Sequence, residues 1–185
     1  MNVLRLAFAG AMFLAGTALA QAADFITIQL KDGPVVIELN DKAPKHAERI
    51  KALAAAGEYD NVAFHRVIEG FMAQTGDVQY GDMNDGYQAQ AAGTGGSSQP
   101  DLPSEFSDVP FARGTVGMAR AQDPNSANSQ FFIMFAPGDF LNGQYTVVGQ
   151  VVSGMENVDK IKRGDDANNG SVTDPDRMVK VTVGK

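Results

Sequence analysis

Residues 59–77 read YDNVAFHRVIEGFMAQTGD. Two short β-like runs flank the turn Glu69-Gly70, so the stretch predicts a hairpin. That hairpin brings a guanidinium (Arg66), an amide (Gln74) and an aromatic ring (Phe71) together. It offers no thiol, no obvious hydroxyl nucleophile and no carboxylate pair. Such a site can bind and polarise a substrate more readily than it can do covalent chemistry.

The elements on either side follow from periodicity. Phe25 to Leu30 alternates apolar and polar, Lys31-Asp32-Gly33 is a turn, and Pro34 to Leu39 is the return strand. Asn40-Asp41 leads into a helix with Pro44 in its first turn. Its buried stripe is Ala47, Ile50, Leu53 and Ala54, and Gly57 is its C-cap. His46, among Lys45, Glu48 and Arg49, falls on the polar side and is expected at the surface. Strands are expected at Thr115–Ala119, from Gln130, at Thr146–Val152 and at Met178–Val183. A second helix is expected from Met155 to about Gly164. In the strand from Gln130, Gln130 and Phe132 share one face, and Phe131 and Ile133 share the other.

Residues 78–113 show no sustained period and are rich in Gly, Asp, Gln and Ser. A run that long usually marks a functional loop. Its Gly93-Thr94-Gly95-Gly96 lacks the following Gly-Lys-Ser/Thr of a phosphate cradle. Asp165 to Gly170 faintly resembles a calcium loop but lacks the alternating ligands and terminal glutamate, so a solvated turn is expected.

Residues 1–20 are expected to be a cleavable signal peptide. Arg5 begins it, Leu6 to Ala20 is apolar, and Ala18-Leu19-Ala20 is a small-x-small cleavage site; Ala20-Gln21-Ala22 is a second. The apolar run is short of the ~20 residues of a membrane span. No membrane anchor is therefore expected after cleavage. The chain has no cysteine, hence no disulfide and no lipoprotein anchor. A periplasmic location fits best. Residues 21–185 then form one domain, and cleavage removes one basic residue and no acid, moving the net charge from −7 to −8. So acidic a chain, without a basic cluster, should not bind nucleic acid non-specifically.

Phe64-His65-Arg66-Val67-Ile68, followed after two residues by Phe71-Met72-Ala73-Gln74-Thr75-Gly76, resembles the signature of the cyclophilin-type peptidyl-prolyl cis-trans isomerases. Thr75 stands where many members carry a second glycine. Met118-Ala119-Arg120-Ala121 and Ser129-Gln130-Phe131-Phe132-Ile133 resemble a second family signature. Phe140-Leu141-Asn142-Gly143-Gln144-Tyr145 continues the likeness.

The resemblance implies a mostly β fold, a closed eight-stranded antiparallel β-barrel capped by two α-helices. Periodicity alone supports only a mostly β chain with two helices. The resemblance also assigns Arg66 the catalytic role, and Phe71, Met72, Phe132 and Leu141 the proline pocket. Gln74 would hold Arg66 and the substrate backbone, with Gln130 on the same groove. Ala119, Arg120 and Ala121 would present backbone groups to the peptide, so little is expected of the Arg120 side chain. His65, Phe140 and Tyr145 would complete the rim, and the Gly93–Gly96 segment would help to wall the groove.

Proline-containing unfolded or partly folded polypeptides are the implied partners, and assistance to the folding of exported proteins is the implied role. No cofactor or metal is implied, and a monomer is expected. Phe140 and Tyr145 replace the tryptophan and histidine of many eukaryotic members, which implies weak cyclosporin binding, since phenylalanine has no donor. Several alternatives stay open. Arg66 could be a structural ion-pair partner, His65 a general base rather than a hydrogen-bonded wall residue, and Phe71 and Phe132 plain core. The groove could also serve a holding chaperone rather than an enzyme. A hydrolase is disfavoured by the absence of a G-x-S-x-G elbow.

Overall fold

The computed structural model describes residues 24–184. The proposed signal peptide lies outside the described residues. The first hairpin forms where alternation places it, as β1 (Phe25–Leu30) and β2 (Gly33–Leu39). The central hairpin is β3 (Arg66–Ile68) and β4 (Met72–Thr75). The remaining strands are β5 (Thr115–Met118), β6 (Phe131–Met134), β7 (Val147–Ser153) and β8 (Lys180–Gly184). They form one sheet in the order β3-β4-β6-β5-β7-β2-β1-β8, with every neighbouring pair antiparallel.

The sheet curls into a half-barrel, which corrects the expected closed barrel. β3 and β8 are edges with no ladder between them. Irregular backbone crosses the gap instead: Asn61 N–H donates to Met178 O (2.6 Å), Phe64 N–H to Asp176 O (2.8 Å), and Met178 N–H to Val62 O (2.9 Å). Two isolated antiparallel bridges, Arg66 with Ser171 and Ala63 with Arg177, flank an interruption at residues 174–175. Asp174 sits at φ 51°, and Pro175 has no N–H to donate to a ladder.

Alternation along the strands sorts the interior into two clusters. On β6, Phe131 and Ile133 enter the main core, whereas Phe132 and Met134 enter a second, smaller one. On β4, Ala73 goes to the first and Met72 to the second. The main core lies between the sheet and helix α1 (Pro44–Ala56), whose Ala47, Ile50, Leu53 and Ala54 it includes, as expected. Gly57 closes α1 in the left-handed conformation, with Gly57 N–H on Ala54 O and Glu58 N–H on Leu53 O. Helix α2 (Met155–Val158) is a single turn, much shorter than expected. The chain beyond it is drawn off to the sheet edge, where Gly164 N–H donates to Val67 O (2.8 Å).

Two residues placed on the polar side of α1 are buried. Arg49 is 6% exposed and donates to Pro100 O (2.8 Å) and Asn128 O (3.2 Å). His46 is fully buried, which corrects its assignment to the surface, and its Nδ1 lies 2.6 Å from Glu105 Oε2. The reason is that α1 begins at Ala43 without a side-chain cap. Glu105, from the long loop, supplies the cap. Its carboxylate accepts the N–H of Lys45 (3.1 Å) and of His46 (3.1 Å), satisfying two orphan donors of the first turn. Residues 78–113 contain no named strand or helix, as expected, yet they are fixed from two sides by Arg49 and Glu105.

This arrangement sets a pH dependence. Burial holds the His46 imidazole below the ordinary histidine value, against the pull of Glu105 and with Arg49 and Lys45 acting in the same direction as burial. Burial pushes the Glu105 carboxyl up, but hydrogen bonds from the His46 ring and from the backbone of His46 and Lys45 outweigh it and hold Glu105 below its ordinary value. For both groups the unfolded chain takes up the proton first on acidification. The stability they contribute is therefore present above the unfolded value and lost as pH falls. For His46 that loss begins near pH ~6.5. The unfolding free energy should drop between pH 7.5 and pH 5, and His46→Gln should reduce its slope there by up to about 1.4 kcal/mol per pH unit. An unchanged slope in the variant would remove His46 from the account.

Candidate active site

The sheet register assembles the site. Arg66 on β3 lies opposite Gln74 on β4, Gln74 opposite Phe132 on β6, and Phe132 opposite Gly117 on β5. Directly opposite residues share a face, so one row across four strands carries a guanidinium, an amide, a ring and a space. A Cβ at Gly117 would collide with the Phe132 ring and lie 2.6 Å from Phe111 Cε1. The missing side chain is what lets Phe111 and Phe132 stack there, with ring centroids 5.8 Å apart.

Around this row lies the second apolar cluster. Met72, Phe111, Phe132, Met134, Leu141 and Val147 are buried, and Phe71, Ala119 and Tyr145 pack on them partly exposed. Of the expected pocket residues, Phe71, Met72, Phe132 and Leu141 are all here, separate from the main core. Tyr145 meets Phe132 edge-on at 5.9 Å, and Phe140, 66% exposed, tilts over Phe71 at 5.6 Å. Phe111 was not legible as a site residue, because it closes a loop without period.

Arg66 stands at the edge of the cluster. Its Nη1 lies 3.9 Å from Met72 Sδ and donates to Gln74 Oε1 (3.3 Å). Its Nε donates to Asn169 O (3.0 Å) and its Nη2 to Asn169 Oδ1 (2.9 Å). Its partners are neutral, which disposes of the ion-pair alternative among the described residues. Burial holds its guanidinium below the ordinary arginine value, yet it stays cationic at neutral pH. A chain of amides runs on from it: Gln74 Nε2 donates to Gln130 Oε1 (2.9 Å), and Gln130 Nε2 to Gly95 O (2.8 Å).

Gly95 belongs to the glycine-rich segment, and Asp77 holds that segment in place. The Asp77 carboxylate is fully buried and accepts four backbone N–H groups. Gln79 (3.1 Å) and Tyr80 (2.9 Å) bond Oδ1, and Gly93 (2.7 Å) and Gly95 (2.9 Å) bond Oδ2. Gly93 adopts φ 98°, and a Cβ there would sit 2.9 Å from His65 Cδ2. His65 is buried behind this segment, and both its ring nitrogens lack a hydrogen-bond partner among the described residues. The ring packs against Gly93, with Asp77 and Gln130 as its polar neighbours. Burial keeps its imidazole below the ordinary value and hence neutral.

A cleft of about 410 Å³ opens beside the apolar cluster, lined by Gln74, Gln130, Gly93 to Ser97 and Ala119 to Ala121. The N–H groups of Ala119 and Ala121 are already used, on Gln130 O (2.9 Å) and Ser126 Oγ (2.9 Å). The Arg120 side chain makes its contacts within the chain itself. It lies over the Tyr145 ring at 4.4 Å and donates to Gln144 O (3.0 Å) and Ala121 O (2.9 Å), bracing two loops of the rim. A second hollow, about 780 Å³, lies elsewhere, beside α1, β2 and β7, and contains none of these residues.

An apolar pocket, a flanking guanidinium and an adjoining cleft thus lie side by side on the sheet. Residues 25–183 match the family described as cyclophilin type peptidyl-prolyl cis-trans isomerase/CLD. The chain belongs to this family, and it is a peptidyl-prolyl cis-trans isomerase. It is 59% identical over 191 aligned residues to the "Probable peptidyl-prolyl cis-trans isomerase" of Brucella suis biovar 1, covering 99% of this chain and 97% of that one. It is 37% identical to peptidyl-prolyl cis-trans isomerase B of Escherichia coli K12, over 74% of this chain and 83% of that one. Among solved structures, the cyclophilin type isomerase of Cryptosporidium parvum superposes with a TM-score of 0.71 at 26% identity, covering 88% of this chain and 98% of that one. The same protein in the presence of the dipeptide Ala-Pro gives a TM-score of 0.70.

Proposed function

We propose that Arg66 stabilises the twisted imide of an X-Pro bond while the cluster of Phe71, Met72, Phe132 and Leu141 holds the proline ring. The planar amide resists rotation by ~18–20 kcal/mol because resonance gives its C–N bond double-bond character. When the bond twists, resonance is lost, the nitrogen becomes pyramidal and its lone pair can accept a hydrogen bond. A donor that engages only this state lowers the barrier. The observation that carries the reading is the position of Arg66 Nη1, 3.9 Å from Met72 Sδ at the edge of the apolar cluster. A ring held against Phe132 would keep proline still while the preceding carbonyl rotates, in a place from which water is excluded.

The residues before the proline would lie along the cleft walled by Gly93–Gly96, Gln130 and Ala119–Ala121. The natural substrates on this reading are exported chains still folding in the periplasm, reached after cleavage of residues 1–20. Phe140 stands exposed on the rim without a donor, which supports weak cyclosporin binding. A monomer suffices for this reading, since every group it invokes lies on one chain.

The test is peptide isomerisation with Arg66→Lys. The charge survives but the planar fork does not, so the rate should stay far below that of the parent protein. Full rescue by lysine would reduce the role of Arg66 to bulk charge and overturn the aimed hydrogen bond.

A further inference from the structure

We infer that Asn169 is a positioning residue for the Arg66 guanidinium, an inference that rests on the role proposed for Arg66. Arginine is long and flexible, so a guanidinium that must meet a fleeting pyramidal nitrogen needs its rotamer fixed beforehand. Gln74 and Met72 locate only the Nη1 end. The opposite, side-on edge is gripped, among the described residues, by Asn169 alone, which offers its backbone oxygen to Nε (3.0 Å) and its side-chain oxygen to Nη2 (2.9 Å). Two acceptors from one residue match the planar fork in the way a carboxylate does, but without its charge. A neutral grip leaves the cation's charge undiminished for the imide nitrogen.

The loop that carries Asn169 is built to hold it. Asn169 has φ 54°, a left-handed conformation that asparagine tolerates better than most residues. Asp165 ties the preceding turn together: its Oδ1 accepts Ala167 N–H (2.9 Å), its Oδ2 accepts from the Asn168 amide (2.7 Å), and its carbonyl accepts Gly170 N–H (2.9 Å). The loop is then sewn to the edge strand that bears Arg66. Val67 N–H donates to Gly170 O (2.8 Å), Val172 N–H to His65 O (3.2 Å), and Gly164 N–H to Val67 O (2.8 Å). The segment that resembled a calcium loop is thus a bracket on β3, placed 103 residues from the side chain it orients.

The experiment compares Asn169→Gly, Asn169→Asp, Arg66→Ala and the double variant Arg66→Ala/Asn169→Gly on one X-Pro peptide, with melting curves for each. Glycine keeps the left-handed backbone and the backbone oxygen on Nε while removing the side chain that holds Nη2. Asn169→Gly should lower kcat about threefold to tenfold with KM within about twofold, because the hydrogen bond it serves forms only in the transition state. Its melting temperature should match the parent's. Asn169→Asp, which keeps the acceptor but adds a charge, should recover only part of the rate. In the Arg66→Ala background, Asn169→Gly should cost nothing further. A full-rate Asn169→Gly beside a slow Arg66→Ala overturns the inference, as does an equal loss in both backgrounds. A full-rate Arg66→Ala would instead overturn the role of Arg66 itself, so the two failures are distinguishable.

Discussion

Replacing Arg66 by alanine is expected to lower kcat/KM for an X-Pro peptide about 10- to 100-fold with the fold intact. The magnitude follows from the hydrogen bond that alanine is unable to donate. A hydrogen bond from a charged donor contributes roughly 1.5–3 kcal/mol, and each ~1.4 kcal/mol of barrier is tenfold in rate. The fold should tolerate the change because Arg66 is only partly buried and makes no ion pair among the described residues. Its acceptors, Gln74 Oε1 and the two oxygens of Asn169, lie where water can replace the guanidinium. Peptide isomerisation measured beside thermal melting checks both halves. A folded variant with the parent rate would remove Arg66 from the mechanism, leaving desolvation in the apolar pocket as the source of catalysis.

Asp77→Ala should have the largest effect on stability, about 3–5 kcal/mol, and should slow the enzyme as well. The carboxylate is fully buried and serves four backbone N–H groups from two separate segments. Deleting it orphans those donors, and unmet buried donors are costly. The Gly93–Gly96 segment would then lose its anchor, and with it Gly95 O, on which Gln130 and then Gln74 depend. Asp77→Asn keeps one carbonyl oxygen and should lie between the variant and the parent. Denaturant midpoints measure the first effect and kcat the second. A loss below about 1 kcal/mol would mean that the segment is held chiefly by its packing against His65.

Much of the fold was open to direct reading. Alternation marks β1, β2 and the two faces of β6, because one face of each strand must meet the core and side chains alternate. The helix stripe and the Gly57 terminus of α1 follow from local rules in the same way. The dense run Phe64–Gly76 placed Arg66, Gln74, Phe71 and Met72 together, because a tight turn forces antiparallel neighbours into register.

What tertiary structure alone decided are the long-range partners. His46 carries no local signal of burial: its neighbours are charged, and only Glu105, 59 residues away, makes its burial tolerable by capping the helix and accepting from the ring. Asp77 looked like the end of a hairpin, yet its four donors include Gly93 and Gly95, which the chain brings back through a loop without period. Asn169 looked like part of a solvated turn, and it grips the guanidinium because the segment from Gly164 to Val172 pairs with an edge strand far earlier in the chain. Whether the barrel closes was decided the same way, by residues 171–178 meeting residues 61–67 through isolated bridges rather than a ladder. The sequence by itself determined most of the strands, helix α1 and the family motif, since those depend on neighbours a few positions away. The shape of the sheet edges and the shell that steadies Arg66 depend on contacts between segments with no spacing rule, and only the folded chain brings those together.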